Sequence, residues 1–400
     1  MQELPLTGQG TDLELKKKFH ALYTALLFVS LHWAIVVYVN SSYLEQFVSH
    51  QALAMLYIIA AALTIFVHFF ASRFLASFGA VRLITTLTIL EFCTLIGMSL
   101  ASTPNLAITL FVIHQTIVPL IFFGLDILME ELIGTREDLT GGKRGFFLFI
   151  ISTTYALAIL AVGSLLGEGH PNFELVYFIG ALFLIPFLLV FIHKFKDFID
   201  PHYRHFNMRE GIKYLSHYKD IRNVLFSHFF LQLFFVWMVI YTPIYLATNI
   251  GFNWREISII LFVGLSAYIF LEYFIGVIAD KYIGEKEMMA FGFAVIAVST
   301  SWFIFLDNSS VIVWAIVMFM TRAGASFVEA TTESYFFKHT AGKDINVIGL
   351  FRMTRPLSYV IGPVLGTAIL YFLPFNILFL FIGLLMIPGL FFAMALHDTR

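Results

Sequence analysis

Residues 273–287, YFIGVIADKYIGEKE, pass from apolar to charged within a helical turn. Asp280 and Lys281 close an apolar segment, and Gly284 and Lys286 follow at once. A soluble core helix could end this way, and so could a membrane helix reaching water; composition decides. Of 400 residues, 60% are hydrophobic and 12% charged, against about 25% charged in a soluble protein. Too few charges remain to cover a globular surface, so most side chains must face lipid or one another. The net charge of −2 gives no sign of nucleic-acid binding. Cys93, the single cysteine, excludes an intrachain disulfide and a multi-cysteine metal site. The first twenty residues are polar and lack a small-residue cleavage site after a short apolar core, which reads as a cytosolic tail and an uncleaved first helix.

A membrane helix needs about 20 mostly apolar residues. Twelve segments qualify: 19–41, 49–71, 80–101, 106–131, 146–167, 174–193, 223–247, 256–279, 287–306, 310–336, 346–371 and 375–396. Connections such as ASTPN, DNSS and LPFN leave no room for a sizeable extramembrane domain. Lys and Arg in short loops set orientation. The even connections carry Arg73, Arg82, Arg136, Lys143, Arg144, Lys281, Lys286, Lys338 and Lys343, whereas the odd ones carry only Arg255. Both termini are therefore expected in the cytoplasm. The same reasoning divides the chain into a six-helix bundle with a short tail (1–193), a cytoplasmic linker (194–222) and a second six-helix bundle (223–400). Part of the linker, NMREGIKYLSHYKDIRNVLF, reads either as an amphipathic helix on the membrane surface or as a solvated tether whose seven Lys/Arg satisfy topology.

The two halves resemble each other. VYVNSSYL (37–44) answers to IYTPIYL (240–246), and Asp126 with Glu130 answers to Glu329 with Glu333, each pair four apart on one helix face. Gly145 and Gly349 then introduce the following segments. Six-helix repeats related along the membrane normal place a solute site at their interface near midplane.

Here the opening stretch finds its place. GVIADKYIGEK (276–286) resembles the G-x-x-x-D-[RK]-x-G-x-[RK] loop of the major facilitator superfamily, with one extra residue before Gly284. The resemblance extends to the twelve segments and the central linker. The first-half copy, SRFLASFGAVR (72–82), keeps Gly79 and Arg82 but has Ala76 where the family's acid belongs. NIGFNWREI (249–257) is similar to the family's approach to its eighth helix, and Asn253 with Glu256 fits a capping box. The resemblance implies an all-α fold of twelve transmembrane helices in two pseudo-symmetric bundles. It also implies that Asp280 meets the start of the fifth helix, around Lys143 and Gly145, when the cytoplasmic side is closed.

Charges inside apolar segments are expensive and usually face a bundle interior or a water-filled cavity. The candidates are Glu91, Asp126, Glu272, Arg322, Glu329, Arg352 and Arg355. Arg322, Ser326, Glu329 and Glu333 form one stripe at spacings of four, three and four. In the family the first, fourth, seventh and tenth helices line the cavity. That implies a substrate set of His32, Trp33, Tyr38, Asn40, His114, Gln115, Gln232, Trp237, Tyr241, Tyr245, Arg322 and Ser326. Asp126 and Glu329 are the expected proton-coupling acids, with His32 and His114 as alternative proton carriers. A cytoplasmic gate is expected from Arg82, Glu130, Arg144, Glu272, Asp280, Lys281, Gly284, Glu333, Arg352 and Arg355. Of these, Glu333, Arg352 and Arg355 read equally as a lock between the tenth and eleventh segments, and Glu130 with Arg144 as one between the fourth and fifth. Glu91 reads as a satisfied internal acid. The glycine pairs Gly163/Gly167 and Gly362/Gly366 read as close helix packing.

These residues describe a secondary transporter working by alternating access, coupled to protons, and not an enzyme. No phosphate-binding Gly-x4-Gly-Lys-[Ser/Thr] and no HExxH occurs, and neither a cofactor nor a metal is expected. The reading leans to export of lipophilic or cationic compounds; the alternatives are uptake of an anionic or polar metabolite, or a transporter-like sensor or scaffold. The expected partners are a small-molecule solute, protons and the lipid bilayer. The protein is expected as a monomer in a prokaryotic inner membrane.

Overall fold

The computed structural model describes residues 10–133, 137–166, 171–200, 207–278, 283–306, 310–339 and 345–397. Among them there is no β-strand. The helices are α1 (Gly10–Val37), α2 (Asn40–Leu44), α3 (His50–Phe78), α4 (Ala80–Ser99), α5 (Pro104–Ile133), α6 (Glu137–Leu166), α7 (Phe173–Phe195), α8 (Met208–His217), α9 (Lys219–Tyr245), α10 (Trp254–Ile278), α11 (Glu285–Ser301), α12 (Val311–His339), α13 (Ile345–Phe372) and α14 (Phe375–Met394). Among the described residues, eleven helices are long and apolar enough to cross a membrane. The eleventh expected segment, α13, falls short of that standard because it carries Arg352, Arg355, Pro356 and Pro363.

Sequence explains where many helices begin. The capping box forms: Asn253 Oδ1 accepts from Glu256 N–H, and Glu256 Oε2 accepts from Asn253 N–H, both at 2.9 Å. Asn172 caps α7 through Leu175 N–H at 3.0 Å. Gly79 and Gly284 precede α4 and α11 with φ of 77° and 102°, a backbone that side-chain-bearing residues avoid. These are the loop glycines of the two motif copies. Where the first copy lacks its acid, Asp200 of the linker supplies a carboxylate, accepting from Ala80 N–H at 2.7 Å. The expected amphipathic helix is shorter than its sequence suggested. It is α8, ended at Tyr218 by extended backbone, and it packs against α13 and α9.

Packing repeats with the chain. α1 lies against α6 and α7 as α9 lies against α13 and α14; α3–α5, α4–α5 and α4–α7 reappear as α10–α12, α11–α12 and α11–α14. The two sets meet through α3–α13 and α6–α10. Glycine permits some of the closest approaches. Gly163 admits Ser258 and the Trp254 carbonyl, while Gly362 and Gly366 seat Trp237 and Tyr241 of α9 on α13. Large apolar side chains such as Phe66, Phe305, Ile312 and Phe391 point outward. A surface of that kind suits hydrocarbon and not water, and the chain is an integral, multi-pass membrane protein.

Candidate functional site

A cavity of about 220 Å³ lies between the two sets of helices. Its wall is built by α1 (Trp33), α3 (Tyr57, Thr64, His68), α5 (Gln115, Pro119, Asp126, Met129), α6 (Phe147, Tyr155), α9 (His228, Gln232), α12 (Glu329, Glu333) and α13 (Arg352, Arg355, Tyr359). Every long helix contributing to the wall also packs in the repeat described above, so the wall draws on both halves.

One end of this space is closed by rings and hydroxyls. Tyr57 of α3 stacks on Tyr359 of α13 with centroids 6.0 Å apart, and its hydroxyl meets Ser41 Oγ at 2.9 Å. Phe173 of α7 stands edge-on to Trp254 of α10, and α2 packs against α9. The opposite end is charged and wet. Arg352 Nη1 donates to Glu333 Oε1 at 2.9 Å, and its Nε lies 3.4 Å from Asp126 Oδ2 across the cavity. These side chains keep 13–25% of their surface exposed, so water screens the bridge. Tyr155 of α6 and Tyr359 face Arg355 between the two ends. Glu329 lies within electrostatic reach of Glu333, Arg355, Arg322 and Arg352.

Of the expected substrate residues, Trp33, Gln115 and Gln232 stand on the wall, as do Asp126 and Glu329. Gln232 Nε2 is 3.1 Å from His228 Nε2, whose other nitrogen meets Thr354 Oγ1 at 2.7 Å. The remaining expected residues lie off the wall. Asn40 accepts from the Tyr177 hydroxyl at 2.7 Å, and Trp237 donates to the Gly362 carbonyl at 2.6 Å. Tyr241 and Tyr245 join rings around Phe375, and Ser326 donates back to Ala323 O. Tyr38 is buried near Arg322 and Arg355. Arg322 is 2% exposed, lies over the Phe234 ring at 5.3 Å, and leaves Nη2 without a partner among the described residues. No ion pair joins it to Glu329.

Among the gate residues, Glu333, Arg352 and Arg355 stand on the cavity wall, and Arg352 joins α13 both to α12 and to α5. Glu272 accepts from Ser152 at 3.4 Å, linking α10 to α6. Arg82 is exposed, and Gly284 is buried at the start of α11. Asp280 and Lys281 lie outside the described residues, as do the side chains of Glu130 and Arg144. Sequence reasoning passed over Tyr57, His68, Tyr155, His228 and Tyr359. His228 carried a signal, since it lies four residues before Gln232 and so shares its face.

Behind the wall, His32 of α1, Glu91 of α4 and His114 of α5 form a fully buried cluster. His32 Nε2 and His114 Nδ1 converge on the same oxygen, Glu91 Oε1, at 3.1 and 2.5 Å. Those are hydrogen-bond separations closed on one shared atom.

The chain thus places a polar chamber between two matched sets of helices. Residues 224–400 match the family model of the Major Facilitator Superfamily. The crystal structure of the nucleoside transporter NupG (D323A mutant) superposes with a TM-score of 0.71, covering 94% of this chain and 99% of that one at 12% identity. Since 295 solved chains match, likeness to one of them gives the fold and leaves the solute open. No curated protein sequence matches. The family match thus covers the second half of the chain, the half that carries the loop motif of this superfamily, and the likeness in fold extends over nearly the whole chain.

Proposed function

We propose that the protein takes up a small, polar, ring-bearing solute of nucleoside type by proton-linked alternating access. The observation that carries this reading is the cavity wall. Gln115 and Gln232 offer amide donors and acceptors from opposite halves, with Trp33, Tyr155 and Tyr359 as flat faces beside them. At about 220 Å³ the space is smaller than the ~300–1,000 Å³ of drug-sized pockets, which favours a compact solute over a bulky lipophile. The wall's three acids, Asp126, Glu329 and Glu333, are faced by two arginines, Arg352 and Arg355, and with the coupling proton on Glu329 the formal charges balance, leaving none spare for a cation. This favours the polar-metabolite alternative over the export reading.

The moving parts are the bundles 1–193 and 223–400, joined by 194–222. The Lys/Arg distribution puts the Asp126–Arg352–Glu333 end at the cytoplasm, so the arrangement described is closed outward by Tyr57–Tyr359 and Phe173–Trp254. Arg352 is then a cytoplasmic gate residue, released from Asp126 when the halves part. Glu329, facing the solute and flanked by arginines, is the coupling acid at the cavity. The nucleoside transporter NupG, which shares the fold, supplies the probe for the test.

Purified protein in liposomes with an imposed pH gradient tests the reading. Labelled uridine should accumulate on the alkaline side, and Glu329→Gln should abolish that accumulation while sparing folding. Uridine excluded while a lipophilic cation is exchanged for protons would overturn the nucleoside assignment in favour of export. Saturable uridine binding without counterflow would overturn transport itself.

A further inference from the structure

The His32–Glu91–His114 cluster has no part in the solute reading, and its hydrogens do not balance with ordinary protonation states. His32 Nδ1 lies 2.9 Å from the Val29 carbonyl, which can only accept, so the ring hydrogen sits on Nδ1. Nε2 then carries a bare lone pair, yet it stands 3.1 Å from Glu91 Oε1. The same oxygen takes the Nδ1 hydrogen of His114 at 2.5 Å. Two acceptors held that close in a dry interior need a hydrogen between them. The cluster therefore has a seat for one proton more than two neutral imidazoles and a carboxylate provide.

Charge argues the same way. With that proton the three side chains sum to zero; without it a net negative charge is buried at 0% exposure, which the loss of hydration strongly disfavours. Among the described residues, the ionisable groups that act on Glu91 are the two histidines. Among the described residues the other helices packed on α1 bring no counter-ion to the cluster; Lys143 of α6 lies over Phe19, more than three turns of α1 away from His32. α7 sets Gly180 against the His32 carbonyl and commits its Tyr177 hydroxyl to Asn40, and α6 turns Tyr155 to Arg355.

We propose that His32, Glu91 and His114 form a buried proton-binding site that couples proton occupancy to the shape of the solute cavity. The cluster pins α1 and α5, both cavity helices, to α4. His114 precedes Gln115 on the wall, and its ring lies 5.3 Å from that of Trp33, also on the wall. The extra proton rests on His32 Nε2, so that this N–H and the Nδ1–H of His114 both donate to Glu91 Oε1, while His114 Nε2, which has no partner among the described residues, keeps its lone pair. When the proton leaves, lone pairs face each other and α1 is untied from α4 beside the solute. This inference rests on the transporter reading but not on the solute.

The test is substrate-free. Emission of Trp33, isolated as the difference between wild type and Trp33→Phe in the purified full chain, is followed from about pH 8 to 5. Imidazolium on His32, the residue before Trp33, quenches the indole, so a single transition of about twofold is expected, lost in both Glu91→Gln and His32→Gln. A transition that survives in either folded variant, or is absent from wild type, overturns the proposal. So does stoichiometric zinc in protein purified without added metal, if His114→Gln removes it. Failure of uridine uptake would count against the solute alone.

Discussion

The first six long helices bury two histidines and an acid against one another at mid-depth, whereas the second six, which pair buried Glu285 with Lys338 at a helix end, bury Arg322 at mid-depth against a ring. His32, Glu91 and His114 converge within hydrogen-bonding distance. Arg322, with the same near-total burial, has the Phe234 face at 5.3 Å and an unpartnered Nη2. Helix contacts repeat between the halves, but polar contents do not. The repeat thus preserves backbone packing, which fixes where each helix stands, and leaves chemistry free to diverge at matching depths.

This contrast can be broken by experiment. Glu91→Leu should be the most damaging substitution, because it leaves two histidines without the oxygen that joins them; a loss of about 3–5 kcal/mol is expected in thermal or denaturant unfolding. Arg322→Met should act in the opposite sense. Removing a buried charge with an unpaired donor should leave stability unchanged or raise it by about 1–4 kcal/mol. If both variants destabilise alike, the two halves do not differ as described. Asn253→Ala removes one arm of the capping box that starts α10, and a loss of about 1 kcal/mol is expected from the same assay. The smallest effect belongs to Arg352→Gln. Its bridge to Asp126 is partly exposed, so about 0.2–1 kcal/mol is at stake. Faster labelling of a cysteine introduced at Met129 would report the loosened end.

The same contrast explains what was legible in the sequence. Hydropathy marked where the helices lie because lipid demands long apolar runs, and α13 escaped that standard because its arginines and prolines serve the cavity. The capping box was legible because Asn253 and Glu256 are three residues apart. The buried cluster was not, because Glu91 lies 59 residues from His32 and 23 from His114, and only helix packing brings them to one oxygen. A signal existed all the same: an acid too deep to reach water needs partners, and two histidines on neighbouring segments were available. Arg322 and Glu329 made the converse case. They share a helix stripe, but a stripe records direction and not contact.

The attachment of Asp200 to the Ala80 amide has a mechanical corollary. It ties the beginning of the linker to one bundle, while α8 lies on α13 of the other. Between Asp200 and Asn207 a chain drawn taut reaches about 25 Å, at roughly 3.5 Å per residue. In the rocking motion proposed above, that length caps how far the two bundles can part at that mouth.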